Sequence, residues 1–376
     1  MATTEQQQRT SVQTYYGKTL QQTSDLKTSA CCTLTPPDPI IGDILTKVPH
    51  EVLVKYYGCG TPIPLGIDGL DVLDLGSGSG RDAYIVSALV GPEGSSTGVD
   101  MTPEQLAVAT RNVDAFLELM EYEKSNLRFV QGYIEDLDAA GIASDSMDLV
   151  ISNCVINLSP DKERVMKEVY RVLRSGGEFY FSDVYATRRL PDSVRQDEVL
   201  LGECIGGALY VEDFKAICRE TGFGEPRALE VTPIRIKDTH LAQKVGLADF
   251  YSITFRCFKV PNMEVREHEE DYGHIATYLG TIPGHPLTYK VDSTHRFEAR
   301  RPVRIGGNTA AILKHSWLRK FFTVQGDWSE HFGRFDCALV NVPLDRESQD
   351  AAISVGGKYQ SSKGSPEPSL PPGCCA

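Results

Sequence analysis

The sequence predicts an α/β fold: a doubly wound, parallel sheet with helices on both faces and an addition at each end. Three observations carry this prediction. From Asp71 to Val184, short apolar runs alternate with longer amphipathic ones, the rhythm of strands joined by crossover helices. A glycine-rich turn, "DLGSGSGRD" (Asp74 to Asp82), closes the first apolar run and opens the first helical one. At 376 residues and 41% hydrophobic, the chain has enough apolar material for two compact domains, or for one large domain with additions.

Taken in order, residues 10–21 and 39–57 read as helices on either side of "KTSACCTLTPPDP", whose prolines stop any continuation. "DVLDLG" is then a strand, "RDAYIVSALV" a helix, "STGVD" a strand and "TPEQLAVATRNVDAFLELM" one long helix. "NLRFVQG" and "MDLVISN" follow as strands, "DKERVMKEVYRVLR" as a helix and "GGEFYFSDV" as the fifth strand. Beyond about residue 230 come the β-rich "DFYSITFRCFKV" and the helical "NTAAILKHSWLRKFF", which imply a smaller α+β domain. The Gly-, Ser- and Pro-rich end "GGKYQSSKGSPEPSLPPGCCA" has the composition of a disordered tail. The expected divisions are an N-terminal helical lid at 1–60, the cofactor-binding sheet at 61–235, a C-terminal α+β domain at 236–350 and the tail at 351–376.

A net charge of −13 and a pI near 5.2 argue against sequence-independent nucleic-acid binding, which needs a positive face for phosphates. No apolar run approaches membrane-spanning length, and "MATTEQQQRTS" lacks a basic stretch followed by an apolar one. A cytoplasmic, monomeric protein acting on a small substrate is expected. The ten cysteines, at 31, 32, 59, 154, 204, 218, 257, 337, 374 and 375, are too scattered for a compact disulfide framework and show no zinc-ligand spacing. For each of them, a small buried hydrophobe is the starting interpretation.

In "DLGSGSGRD", Gly76, Gly78 and Gly80 flank Ser77 and allow a tight turn and close backbone approach to a ligand. A dinucleotide loop would present its helix N-terminus to pyrophosphate. Asp74, two residues before the first glycine, instead suits a cationic ligand. Asp100 closes the next strand and is placed to accept hydrogen bonds from two ribose hydroxyls, with Met101 available to pack on an adenine face. Ile134 and Glu135 end the third strand. This ordered set resembles the motifs of class I S-adenosylmethionine-dependent methyltransferases, whose sheet is Rossmann-like and whose site lies at the carboxyl ends of the strands.

Cys154 sits at the end of the fourth strand between Asn153 and Val155, Cys59 lies in "KYYGCG", Cys204 in "LGECIGGALY" and Cys31 in the proline-rich loop. Together with "VQTYYGKTLQQTSDLKTSAC", "SNCVINLSPDK" and "GGEFYFSDVYATRRLP", these motifs resemble the arsenite methyltransferases from about Val12 to Phe255. The resemblance implies that Cys59, Cys154 and Cys204 hold trivalent arsenic as substrate, and that Cys31 forms a disulfide during turnover. It places Tyr16, Gly17, Asn153 and Val155 at the cofactor, with Tyr16 and Tyr57 as aromatics of the lid. Cys32 offers a second thiol beside Cys31, whereas Cys218 and Cys257 match no ligand position. The chemistry is consistent, because arsenic(III) is thiophilic and keeps a lone pair when three thiolates bind it. That lone pair attacks a methyl group and no proton leaves arsenic, so no His or Glu base is assigned. Reduction by glutathione or thioredoxin completes the cycle. Two other readings remain open at this point: a methyltransferase of a small organic metabolite with structural cysteines, and a non-catalytic arsenic-binding thiol sink.

Overall fold

The computed structural model describes residues 4–19, 37–58, 60–236, 238–264 and 268–335. The chain begins with α1 (Thr4–Thr14) and a π-helical turn (Tyr15–Thr19), then α2 (Pro39–Leu45) and α3 (His50–Val54). The helix expected over 39–57 is thus two helices. Pro49 precedes α3 as its N-cap and has no N–H with which to prolong α2.

The central unit runs β1 (Asp71–Leu75), α4 (Arg81–Val90), β2 (Ser95–Asp100), α5 (Pro103–Arg111), α6 (Val113–Leu119), β3 (Leu127–Gln131) and β4 (Met147–Asn153). It continues with α7 (Lys162–Val172), β5 (Leu173–Ala186), α8 (Asp192–Arg195), α9 (Glu198–Gly202), β6 (Leu209–Tyr210) and α10 (Val211–Thr221). Then come β7 (Arg227–Ile234), α11 (Thr239–Val245) and β8 (Phe250–Lys259). The strand order is β3-β2-β1-β4-β5-β8-β7, with β6 beside β5. The order reverses between β1 and β4, the switch at which open α/β sheets bind ligands.

Local sequence accounts for these elements. Asp161 caps α7 by accepting the Arg164 N–H at 2.9 Å, and Val165, Met166, Val169 and Val172 form the stripe that faces the sheet. The single long helix expected at 102–120 is instead α5 and α6. They part at Asn112, whose side chain donates to the Val108 carbonyl at 2.8 Å and so competes with the helix ladder.

The sheet also extends beyond its expected limit at residue 235. "DFYSITFRCFKV" forms β8, which pairs antiparallel with β5 from Gly177↔Lys259 to Ala186↔Phe250. Without β8 the long edge of β5 would be left with unpaired backbone groups.

The C-terminal part contains β9 (Glu270–Asp271), β10 (Ile275–Tyr278), β11 (Thr288–Lys290), β12 (Arg296–Glu298) and β13 (Pro302–Arg304). It continues with α12 (Gly307–His315), a 3₁₀ turn (Trp317–Phe321), β14 (Phe322–Gln325) and β15 (Gly333–Arg334). The helix expected over 308–322 stops at Ser316, whose hydroxyl accepts the Leu318 N–H at 3.2 Å and starts the tighter turn. Among the described residues, no helix is long and apolar enough to cross a membrane.

Two buried arginines tie this part to the sheet. Arg256 on β8 is fully buried and donates to Glu178 of β5 at 2.6 and 3.0 Å, with the Tyr289 hydroxyl at 3.2 Å. The Trp317 indole N–H also reaches Glu178, at 2.7 Å. Arg227 on β7 donates to Glu269 and to Asp292, the latter at 3.1 Å. Breaking one partner of such a pair leaves a buried charge uncompensated. Arg256→Met is therefore expected to lower unfolding stability by about 3–5 kcal/mol. Adding Glu178→Gln should recover most of that loss, as read from urea denaturation of the two variants.

Candidate active site

The loop after β1 is shaped by its contacts with β2. The N–H groups of Gly76 and Ser77 both donate to the Val99 carbonyl, at 2.7 and 3.0 Å. Gly78 donates to Asp100 Oδ2 at 2.9 Å, and Thr102 donates to Oδ1 at 2.7 Å. These bonds hold the Asp100 carboxylate while leaving it lone pairs for a ligand. Gly76 has φ +64°, and a Cβ there would lie 2.3 Å from Val155 Cγ1. Only glycine fits both the backbone and the space.

One cavity gathers most of the sequence-predicted residues. Asp74, Gly76, Ser77, Asp100 and Met101 line it from β1, β2 and their loops, and Ile134 and Glu135 from the end of β3. Asn153, Cys154 and Val155 line it from the end of β4, and Tyr16 and Tyr57 from above. Gly17, Gly78 and Gly80 are not in its lining: Gly17 lies against Glu104, and Gly80 precedes α4 at φ +96° against Phe129. Cys31 and Cys59 lie outside the described residues.

The cavity wall carries polar atoms in need of a partner. Asp74 Oδ2, Ser77 Oγ and Gln105 Oε1 are buried with no hydrogen-bond partner among the described residues. Burial, with Asp82 and Asp100 nearby, pushes the Asp74 carboxyl well above the usual range. A cation placed there would relieve that cost.

The N-terminal helix closes the top of the cavity. Arg9 pairs with Glu135 at 2.8 Å, Gln13 donates to the Met101 carbonyl at 2.9 Å, and the Tyr16 hydroxyl donates to the Gly202 carbonyl at 2.7 Å. Sequence reading missed Arg9 and Gln13. The available signal was the spacing of Arg9, Val12 and Tyr16, all of which line this cavity. Asn153 lines the cavity, yet its side-chain amide is committed to the Tyr56 hydroxyl at 2.6 Å, Asp82 at 2.8 Å and the Gly60 carbonyl at 2.9 Å. It therefore fastens Tyr56 and Gly60 to the end of β4.

Cys154 and Cys204 are both buried and both on left-handed backbone, at φ +57° and +65°. The Cys204 thiol donates to the Cys154 carbonyl at 3.0 Å, and the Cys154 N–H donates to the Ser182 carbonyl at 2.8 Å. Their sulfurs and a carboxylate oxygen of Asp183 lie within 4.8 Å of one another. Cys154 is disulfide-bonded, whereas Cys204, Cys218 and Cys257 are free thiols. A left-handed conformation is uncommon for a residue with a Cβ, and such strain concentrates at functional sites.

Comparison with known proteins now bears on this geometry. A profile described as "Methyltransferase domain" matches residues 67–222, and one described as "Arsenite methyltransferase C-terminal domain" matches residues 273–375. The chain is 50% identical to the arsenite methyltransferase of Aquipseudomonas alcaligenes, across 92% of this chain and 98% of that one. It belongs to the arsenite methyltransferase family. The human arsenite methyltransferase is 43% identical over 84% of this chain and 83% of its own. A crystal structure of an arsenic(III) S-adenosylmethionine methyltransferase from Chlamydomonas reinhardtii superposes with a TM-score of 0.77 at 55% identity, covering 80% of this chain and all of that one.

Membership in the arsenite methyltransferases makes the chain an S-adenosylmethionine-dependent enzyme with a class I methyltransferase fold, and the cavity fits that cofactor. The buried, partnerless Asp74 oxygen suits a cationic group, and the lone pairs left on Asp100 suit hydroxyls. Beneath the two sulfurs, Asn157 donates to Asp183 through its backbone N–H at 3.1 Å and its side-chain amide at 2.7 Å. Burial pushes Asp183 up to about 7 and Lys162 down to about 8, and the attraction between the two groups offsets part of each shift. Neither residue stood out in the sequence.

Gly76→Ala is expected to weaken S-adenosylhomocysteine binding by about tenfold or more, since the strain is on the order of 1–3 kcal/mol. Val155→Ala should restore part of that affinity by removing the clash, as titration calorimetry would read. A pH effect follows from Asp183. The folded state holds its proton more tightly than the unfolded chain, so its contribution is full below the unfolded carboxylate range and is lost as pH rises to about 7. In Asp183→Asn, the fall in urea midpoint across that window should be shallower than in the wild type.

Proposed function

We propose that this chain methylates trivalent arsenic held on cysteine thiolates, giving mono- and dimethylated products. The observation that carries the reading is the position of Cys154, which lines the cofactor cavity while its sulfur clusters with that of Cys204. When bound, S-adenosylmethionine supplies a methyl group activated by a sulfonium. Asp74 would hold the cationic end of that cofactor, Asp100 its ribose hydroxyls, and Met101 with Ile134 would flank the adenine. Glu135 is clasped by Arg9, which holds α1 over the cavity and keeps water out.

Cys154 and Cys204 supply two ligands, and Cys59 is assigned as the third from the family resemblance. Each arsenic–sulfur bond to arsenite releases one water, formed from an arsenic hydroxyl and the thiol proton. The left-handed turns fix where the two sulfurs point, so the arsenic lone pair can meet the methyl carbon in line at about 3–3.5 Å. Positioning then dominates catalysis, and no general base is needed.

Methyl transfer leaves arsenic formally pentavalent, and two electrons must return before the next cycle. Two thiols supply them by closing a disulfide, and Cys31, with Cys32 beside it, is assigned to this step together with a released ligand cysteine. The disulfide at Cys154 supports a redox role for that sulfur. Glutathione or thioredoxin resets the pair by thiol–disulfide exchange.

Cys154→Ser and Cys204→Ser should each lower methylated arsenic by about a hundredfold or more, a loss of transition-state stabilisation on the order of 3 kcal/mol. Both variants should still bind S-adenosylhomocysteine. Chromatography of arsenic species coupled to mass spectrometry reads the products. Near-normal dimethylarsenic formation by Cys154→Ser would sink the thiolate mechanism.

A further inference from the structure

The donor atoms gathered at the sulfur site are not all sulfur. Cys154 Sγ, Cys204 Sγ and a carboxylate oxygen of Asp183 lie within 4.8 Å of one another, and all three residues are buried. Among the described residues, no other three His, Cys, Asp or Glu donors come as close. They come from three separate elements: Cys154 follows β4, Asp183 lies within β5, and Cys204 follows α9.

The carboxylate is held in place as a ligand would be. Asn157 donates to it through its backbone N–H and its side-chain amide, and the Val184 N–H donates to Oδ1 at 2.7 Å. The Asn157 amide also reaches the Val184 carbonyl, so it cannot turn away. Carboxylates that bind metals are characteristically oriented by such outer hydrogen bonds.

Two sulfurs and one oxygen suit a different ion from the one proposed above. Arsenic(III) selects sulfur and completes its set with a third thiolate, whereas zinc takes mixed sulfur and oxygen ligands in a tetrahedron. Zinc on two thiolates and a carboxylate carries one net negative charge. The Lys162 ammonium, attracted to both Asp183 and Cys204, offsets it. Three protein ligands leave the fourth position open, as in exchangeable rather than closed structural sites. Cys154 lines the cofactor cavity, so an ion reaches the group from that side.

We infer that Cys154, Asp183 and Cys204 form a zinc site when both sulfurs are reduced, and that zinc held there excludes arsenic. The exclusion rests on the proposed arsenic chemistry, whereas the zinc site does not. Binding forms two zinc–sulfur bonds and one zinc–oxygen bond, releases the ligands' protons to solvent and changes no oxidation state. The disulfide at Cys154 has to open first. A phosphine does this by giving two electrons, leaving as its oxide with oxygen from water, and the two sulfurs take up the protons.

The test uses the full chain reduced with a phosphine and titrated with zinc chloride, with cobalt(II) chloride as a spectroscopic substitute. Cobalt should give a thiolate-to-metal charge-transfer band and the intense visible bands of tetrahedral coordination, and zinc should displace both. Asp183→Asn keeps the size of the side chain and should weaken zinc by about a hundredfold, and Asn157→Ser by about tenfold. Phenylarsine oxide needs the two thiolates alone, so its affinity should stay within about threefold in both variants. S-adenosylhomocysteine binding checks that both are folded. In methylation assays zinc should compete with arsenite, and its inhibition constant, measured against each enzyme's own uninhibited rate, should rise about a hundredfold in Asp183→Asn.

No zinc binding by the wild type, equal zinc affinity in Asp183→Asn, or parallel losses of zinc and phenylarsine oxide would each overturn the site. Zinc binding that depends on Asp183 but does not compete with arsenite would overturn the exclusion alone. Absence of methylated arsenic in zinc-free assays would overturn the methyltransferase chemistry instead, while the zinc titration would still decide the site.

Discussion

The clasp between Glu178 and Arg256 holds β5 and β8 in one register, and the chemistry at the far end of β5 depends on that register. Both groups are fully buried, so separating them would leave two desolvated charges. Side chains alternate between the faces of a strand, and a slip of one residue would exchange them. Such a slip would turn Val184 away from Cys154 and Cys204, and would turn Asp183 away from Asn157. The same carboxylate receives the Trp317 indole, so the C-terminal part docks on the strand that supports the site.

Around that strand, polar demands are met within the protein or directed at a ligand. Asn153 spends its amide on Tyr56, Gly60 and Asp82, and Arg9 spends its guanidinium on Glu135. Asp74, Ser77 and Gln105 retain buried oxygens with no protein partner among the described residues. In a well-packed interior such atoms are rare, and three of them in one cavity mark where a polar ligand belongs. The lid made by α1 then does more than cover the cavity, because it adds Arg9 and Gln13 to its polar framework.

Much of this was legible in the sequence because it is written locally. Strand-to-helix alternation gave the parallel sheet, and the loop from Asp74 to Gly80 identified the end of β1. Cys154 was marked by its place at the end of the fourth apolar run. What escaped is non-local. Asn112 divides one apparent helix through a single side-chain hydrogen bond, which propensity alone does not reveal. β8 looked like the start of a new domain because nothing in "DFYSITFRCFKV" says that its partner is the fifth strand. Asp183 and Lys162 read as an ordinary strand acid and helix base; only folding sets their charges near one another beneath the thiols.

The left-handed backbone at Cys154 and Cys204 sets stability against chemistry at the same two positions. Glycine would occupy either conformation without the penalty that a Cβ incurs, on the order of 1 kcal/mol. Random change that favours a firmer fold would therefore tend to strip sulfur from the positions to which the proposed chemistry assigns it. On that proposal the two cysteines persist only where activity is itself maintained, and their strain would be a standing record of use.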